Sequence, residues 1–284
     1  MPRSVHEGFT TYLQWKTPNT TQRQVATLHR SSVRRSIENA RDVYRFIETG
    51  SFGHGTGVAG HSDVDVLVSL KGDRPTSSDT ALNWIRAALT TSFPRTYIRT
   101  SRPAVVVAFA GGYETFEVIP GFIQSTAPDH SYSIPAPGGG WMDTTPEAHL
   151  DYVDAANRDP QGAKDLARLV KAWKYHQQVP ISSFYLEMRA AQHMTTQTNF
   201  IPVWDLCLLL EKLDGWGLRS MQDPTGNTGS IQATSSTGAA IESHSKLATA
   251  ATRARKALDA YTAGNPDESF RYLDLLFGGT FPSR

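Results

Sequence analysis

The sequence is poor in cysteine: Cys207 is the single one in 284 residues. One thiol can form neither an internal disulfide nor a zinc cluster. That excludes a disulfide-stapled scaffold and a zinc-clamped domain. Cys207 lies in the apolar run "LCLLLEKL" and reads as a buried structural thiol. A surplus of one charge is also missing, since 28 Lys and Arg face 27 Asp and Glu, with nine histidines. Proteins that track long nucleic acid carry a basic excess, so long DNA or RNA is not the expected partner. No apolar run approaches the ~20 residues that span a bilayer. The start, "MPRSVHEGFTTYLQWK", lacks the apolar segment of an export signal. The expectation is a soluble protein of the reducing cytoplasm with no membrane partner.

What is present is an ordered alternation of elements. Residues 1–19 read as irregular. From Thr20, Val25, Leu28, Val33, Ile37 and Ala40 recur at helical spacing, while Arg23, Arg30, Arg34, Arg35 and Arg41 fill other positions. Those arginines are either a solvated basic face or, for some, phosphate contacts. "DVYRFIETG" and "DVDVLVSL" read as strands, and "TSSDTALNWIRAALTTSF" as an amphipathic helix. The strands "TYIRT", "AVVVAFA" and "TFEVIPGF" follow. Residues 124–143 are rich in Pro, Gly and Ser and read as loop with at most one short strand. After Thr145 the pattern is helical, from "PEAHLDYVDAANR" to two closing helices, about 239–263 and 266–276. The polar stretch "DPTGNTGSIQATSSTG" is too long for a neutral connector and is a functional candidate. The fold class expected is α+β: a twisted mixed sheet flanked by helices over 1–143, then a helical bundle over 144–284. The N-terminal helix is expected to belong to the first part and is free to pack across both.

The chemistry concentrates between Gly50 and Leu70, "GSFGHGTGVAGHSDVDVLVSL". Strand side chains alternate, so Asp63 and Asp65 project from one face. Two adjacent carboxylates repel, and a cation between them relieves that. Mg²⁺ takes oxygen ligands, commonly one or two carboxylates plus phosphate oxygens. Upstream, Gly50 allows close approach of backbone to phosphate. The Ser51 hydroxyl and the free N–H groups of a turn can hold a triphosphate. His54, three residues on, is a further candidate nucleotide contact. The stretch has no GxxxxGK[ST], so it is not a P-loop. An isolated DxD is as readily a plain strand edge; the Gly-Ser turn before it favours chemistry.

The spacing G-S-x(10)-S-D-x-D resembles the signature of the polymerase β-like nucleotidyltransferase superfamily. Those enzymes add a third acid from a nearby strand, and "TFEVIPGF" offers Glu117, where many members have Asp. "LARLVKAWKYHQQVPISSFYLEMRAA" resembles the helix–turn–helix of the cGAS/DncV-like nucleotidyltransferases, also called CD-NTases or SMODS enzymes. There, residues matching Lys171 and Ser183 hold the donor triphosphate. Lys171 is expected to extend from the polar side of its helix, and Ser183 to cap the next. "DPTGNTGS" resembles the family's "DP…N" loop, which brings Asp223 and Asn227 to a cleft rim with His54. "LLFGGTFPS" resembles its "FG…FP" close. The resemblance runs from about residue 20 to the end.

The resemblance implies a polymerase β-like palm and a helical lobe, bilobed around a central cleft. Asp63, Asp65 and Glu117 would hold Mg²⁺, or Mn²⁺ in its place. Gly50, Ser51, Lys171 and Ser183 would bind ATP or another NTP, with His54 and Asp223 nearby. Nucleotides would be joined into a cyclic di- or oligonucleotide, a second messenger of bacterial anti-phage (CBASS) signalling read by a separate effector. A regulatory protein partner is also implied. Two rivals stay open: a nucleotidyltransferase that modifies RNA, a small molecule or a protein, and a non-catalytic nucleotide-binding module.

Overall fold

The computed structural model describes residues 3–61, 63–109, 114–126, 129–227 and 229–284; Ser62 of the SDxD motif lies outside them. The chain forms two compact units. One comprises Pro18–Gly55 and Gly60–Asp151; the other comprises Met1–Thr17, Thr56–Ala59 and Tyr152–Arg284. The second boundary falls within a helix a few residues after the expected seam at 143/144. The first 17 residues belong to the helical unit because their apolar stripe joins its core.

The sheet unit contains helix α2 (Thr20–Glu38), strand β1 (Val43–Thr49), the one-turn α3 (Gly50–Gly53), β2 (Val64–Leu70) and α4 (Ser78–Ser92). Then come β3 (Tyr97–Ser101), β4 (Ala104–Phe109), β5 (Glu114–Ser125), β6 (Ser131–Pro135) and β7 (Trp141–Thr144). The strand order is β1-β2-β5-β4-β3, with β6 and β7 continuing from the far end of β5. β2 and β5 run parallel and the other neighbours antiparallel. A strand between two others, covered on both faces, needs apolar side chains in both directions. Six of the seven β2 residues are buried, and Asp65 is the half-buried exception. Val64, Val66 and Val68 face Ile37, Leu82, Ile85 and Leu89 of α2 and α4. On the opposite face Leu67 packs with Tyr132 and Ile134 of β6.

Two expectations are corrected here. Residues 124–143 are not chiefly loop: β6 and β7 form a hairpin whose register ends with Pro135 opposite Trp141. Tyr132 and Ile134 alternate inward, so the Pro- and Gly-rich run between the strands is their turn. The α2 stripe is also rotated. Ala26, Val33 and Ile37 are buried, while Val25 and Leu28 are exposed.

The helical unit begins with α1 (Val5–Lys16), where irregular chain was expected. Its start is a reciprocal capping box: Ser4 accepts from the Glu7 N–H, and the Glu7 side chain accepts from the Ser4 N–H. Five helices follow: α5 (Pro146–Ala156, which also contributes to the sheet unit), α6 (Ala163–His176), α7 (Ser183–Met194), α8 (Pro202–Gly215) and, after the small hairpin β8 (Met221–Gln222) and β9 (Ser230–Ile231), α9 (Thr237–Thr262). α10 (Pro266–Leu276) closes the chain. Trp173, Tyr185, Leu210 and Cys207 lie in its core. Burial pushes the Cys207 thiol up to about 12, which keeps it an inert thiol. Among the described residues no helix is long and apolar enough to cross a membrane.

The "FGGTFP" segment has a packing role. Phe277 lies 4.5 Å from the Tyr12 ring, and Phe281 lies 5.3 Å from Phe9 and 5.2 Å from Tyr12. The Tyr12 hydroxyl and Thr280 Oγ1 are hydrogen-bonded at 3.1 Å. Gly278 and Gly279 adopt φ of +66° and +79°, a left-handed turn that lets both rings reach one cluster. Phe281→Ala is expected to destabilise the protein by about 3–5 kcal/mol, measured by urea unfolding.

Candidate active site

Strand registration assembles the acids. β2 and β5 pair with Asp65 opposite Glu117. Thr49 of β1 stands opposite Asp65, Val106 of β4 opposite Glu117, and Arg99 of β3 opposite Val106. Residues level with one another across a sheet share a face. A single row therefore carries Thr49, Asp65, Glu117, Val106 and Arg99 on the face opposite α2 and α4. Asp63 shares that face one step along and is hydrogen-bonded by the Thr115 side chain. The acids begin where the cover provided by β6 over Leu67 ends.

This crowding perturbs titration. Burial pushes the Asp63 carboxyl above its ordinary range, against the Thr115 hydrogen bond and the Arg99 charge, which pull it down. Glu117 is also raised, by burial first and by the Asp63 charge second, with Arg99 opposing. Arg99 is thus a cation that offsets Asp63 and Glu117, a residue the sequence reading missed. Its signal lies in register, which becomes visible only once β3, β4 and β5 are paired.

The Gly50 backbone lies on Asp65. Its φ is +58°, and a Cβ added there would fall 1.9 Å from Asp65 Oδ2. No other residue type fits both conditions. Ser51 is half-buried in α3. His54 caps the C-terminus of that turn through its N–H to the Gly50 carbonyl at 3.0 Å, and its side chain is buried. The sheet unit therefore brings Gly50, Asp63, Asp65 and Glu117 to one end of the sheet. A donor set of carboxylate oxygens suits a hard divalent cation. Among the described residues no three His, Cys, Asp or Glu are grouped closely enough to hold a metal ion by themselves.

The helical unit holds the other candidates. Lys171 does not extend from a polar face. It is 1% exposed, and its Nζ donates to Glu187 Oε2 and Thr56 Oγ1, each at 2.7 Å. Thr56 also donates to Glu187. An ammonium in the core needs a counter-charge, and Glu187 of α7 provides it. Ser183 is the first residue of α7; its neighbour Ser182 is the cap, accepting from the Tyr185 N–H at 3.2 Å. Ser183 Oγ accepts from Lys174 Nζ at 2.5 Å and lies 3.2 Å from the Tyr175 hydroxyl. Lys174 and Tyr175 were missed; both stand in "KAWKYH", one turn beyond the lysine singled out. Asp223 is buried, and its carboxylate accepts from the Thr225 N–H and hydroxyl, which shapes the turn between β8 and β9.

A raised carboxyl favours the folded state only while protonated. Its contribution is complete below the ordinary carboxylate range and is lost as pH rises through the raised value. Glu117→Gln is therefore expected to melt about 1–3 °C above wild type in metal-free buffer near neutral pH. The difference should shrink towards about pH 4, as followed by thermal denaturation with EDTA.

The model of the Second Messenger Oligonucleotide or Dinucleotide Synthetase domain matches residues 3–157. No curated protein matches the chain by sequence. Among solved structures, CdnC of E. coli MS115-1 with ATP superposes with a TM-score of 0.78 at 18% identity, covering 98% of this chain and 99% of that one. The same protein in a CdnC:HORMA-deltaN complex gives the same score and identity. CdnG of Bradyrhizobium diazoefficiens in complex with GTP gives 0.74 at 14%, covering 95% and 97%. DncV cyclic AMP-GMP synthase of Vibrio cholerae, with the linear intermediate 5′ pppA(3′,5′)pG, gives 0.68 at 13%, covering 84% and 70%. The fold is that of these nucleotidyltransferases, and the matched domain spans more than half of the sequence. The chain belongs to the Second Messenger Oligonucleotide or Dinucleotide Synthetase family.

Proposed function

We propose that this synthetase condenses NTPs in a divalent-metal-dependent reaction into a cyclic di- or oligonucleotide, on the acid row of its sheet. The observation that carries the reading is the parallel register that sets Glu117 beside Asp65, with Asp63 on the same face and the Gly50 turn against it.

Asp63, Asp65 and Glu117 are the residues that would hold the metal. Bound Mg²⁺, or Mn²⁺, would neutralise these carboxylates together with phosphate oxygens and lower the pKa of an acceptor ribose hydroxyl. Gly50 and Ser51 present backbone N–H groups and a hydroxyl to the donor triphosphate. Ser183 offers a second hydroxyl, backed by a lysine of α6. His54 and Asp223 act through the turns they hold. The acceptor hydroxyl attacks the α-phosphorus in line, and pyrophosphate leaves. A second round on the linear product closes the ring. ATP with CdnC, GTP with CdnG and the linear dinucleotide with DncV support nucleotide substrates of this size. The near-even charge also fits them better than a long polyanion. The setting proposed is cytoplasmic anti-phage signalling, with a separate effector reading the product. A regulatory protein is a proposed partner, in line with the CdnC:HORMA-deltaN complex.

The test is to incubate labelled NTPs with Mg²⁺ or Mn²⁺, treat with phosphatase and separate the products. Wild type is expected to leave phosphatase-resistant material, and the Asp63→Ala, Asp65→Ala double variant none. Linear, phosphatase-sensitive products alone would exclude cyclisation. Gly50→Ala, by displacing the Asp65 carboxylate, is expected to lower the rate about a hundredfold while the protein stays folded.

A further inference from the structure

Within the helical unit, α1, α10 and the segment after α10 enclose a cavity of about 710 Å³ that takes no part in the chemistry above. Phe270 and Phe281, both buried, line it together with Trp15 and Asp274. Trp15 is 57% exposed, and no ring or cation of the described residues is stacked on its indole. Asp274 is half-buried. Its Oδ1 accepts from the Phe281 N–H at 3.2 Å, and no cation among the described residues pairs with the carboxylate. A carboxylate has about four acceptor positions, and that N–H uses one. The other charges around the cavity are matched already: Arg284 pairs with Asp267, and Arg271 with Glu268 at 2.5 Å. The charge of Asp274 is felt by its neighbours. Burial pushes the Tyr12 hydroxyl up, and Asp274 adds to that against the Thr280 hydrogen bond.

We propose that this cavity receives an arginine side chain of a partner protein, with its guanidinium on the Asp274 carboxylate and against the Trp15 indole. Charge complementarity selects the partner. With the neighbouring charges paired, one carboxylate is left over, and an acidic or purely apolar segment would cover it without a counter-charge. The two lining groups then select arginine among the cations. A guanidinium presents a planar donor fork to a carboxylate and lies flat on an aromatic face. Tryptophan is the aromatic side chain that attracts a cation best. The methylenes of the arginine stem find apolar wall in the buried phenylalanines. Tryptophan and arginine are also the residues on which binding energy at protein interfaces concentrates. The inference stands apart from the nucleotide reading, since none of these residues belongs to the sheet unit.

Nuclear magnetic resonance of the full isotope-labelled chain reads the site directly. The indole N–H signal of Trp15, assigned by its loss in Trp15→Phe, is followed as the peptide acetyl-Gly-Pro-Arg-Pro-Gly-amide is added. The peptide is expected to shift this signal saturably at millimolar concentration. The same peptide with citrulline, of equal length but uncharged, should bind at least about tenfold more weakly. Asp274→Asn keeps an acceptor for the Phe281 N–H and removes the charge. It should melt like wild type and bind the arginine peptide at least about tenfold more weakly. Trp15 is exposed, so Trp15→Ala keeps the fold and tests the site independently. Followed by calorimetry, it should lose about two- to fivefold in affinity. Equal shifts by the two peptides, no shift by either, or undiminished binding in both variants overturns the inference. So does self-association of the chain in sedimentation that Asp274→Asn abolishes, because a second copy is then the occupant.

Discussion

The parallel pairing of β2 with β5 is the constraint on which the site depends. A shift of one residue would turn Glu117 to the face covered by α2 and α4 and place Phe116 or Val118 beside Asp65. The register is fixed by apolar residues that take no part in chemistry. Val64, Val66 and Val68 on one strand and Phe116 and Val118 on the other all enter the same core. The precision of the acid row is therefore set from the opposite side of the sheet. A parallel pair needs a long connection, and here it runs through α4, β3 and β4. That connection also delivers Arg99 to the end of the row.

Two kinds of charge are built into this molecule, and they answer to different demands. Asp63 and Glu117 are crowded, partly desolvated and only partly offset by Arg99. Such an arrangement opposes folding, and the divalent cation proposed for the site would relieve it. Lys171 and Glu187 are fully desolvated and mutually neutral. Lys174, three residues from Lys171, donates to Ser183 Oγ at 2.5 Å, and no carboxylate among the described residues pairs with it.

Much of this was legible in the sequence, for identifiable reasons. Asp63 and Asp65 share a face because strand periodicity is two, a local rule. The glycine at position 50 signalled a turn, although its contact with Asp65 is tertiary. Glu117 could be proposed as the third acid only through family resemblance, because strand register across the crossover is not a local property. α1 was hidden although Ser4 and Glu7 have capping-box spacing and Val5, Phe9 and Tyr12 the right period. The β6–β7 hairpin was obscured by a turn composed like a linker. Lys171 was read as exposed because its partners, Glu187 and Thr56, come from other segments, and no property of α6 alone predicts an ion pair.

The buried pair of Lys171 and Glu187 has a consequence for how this sequence can vary. Neither residue can change alone without stranding the other's charge. Drift at either position is blocked until both move together, and descendants that keep the packing of α6 against α7 inherit both. A lysine held in this way would look invariant among relatives for reasons of charge balance, whatever else it does.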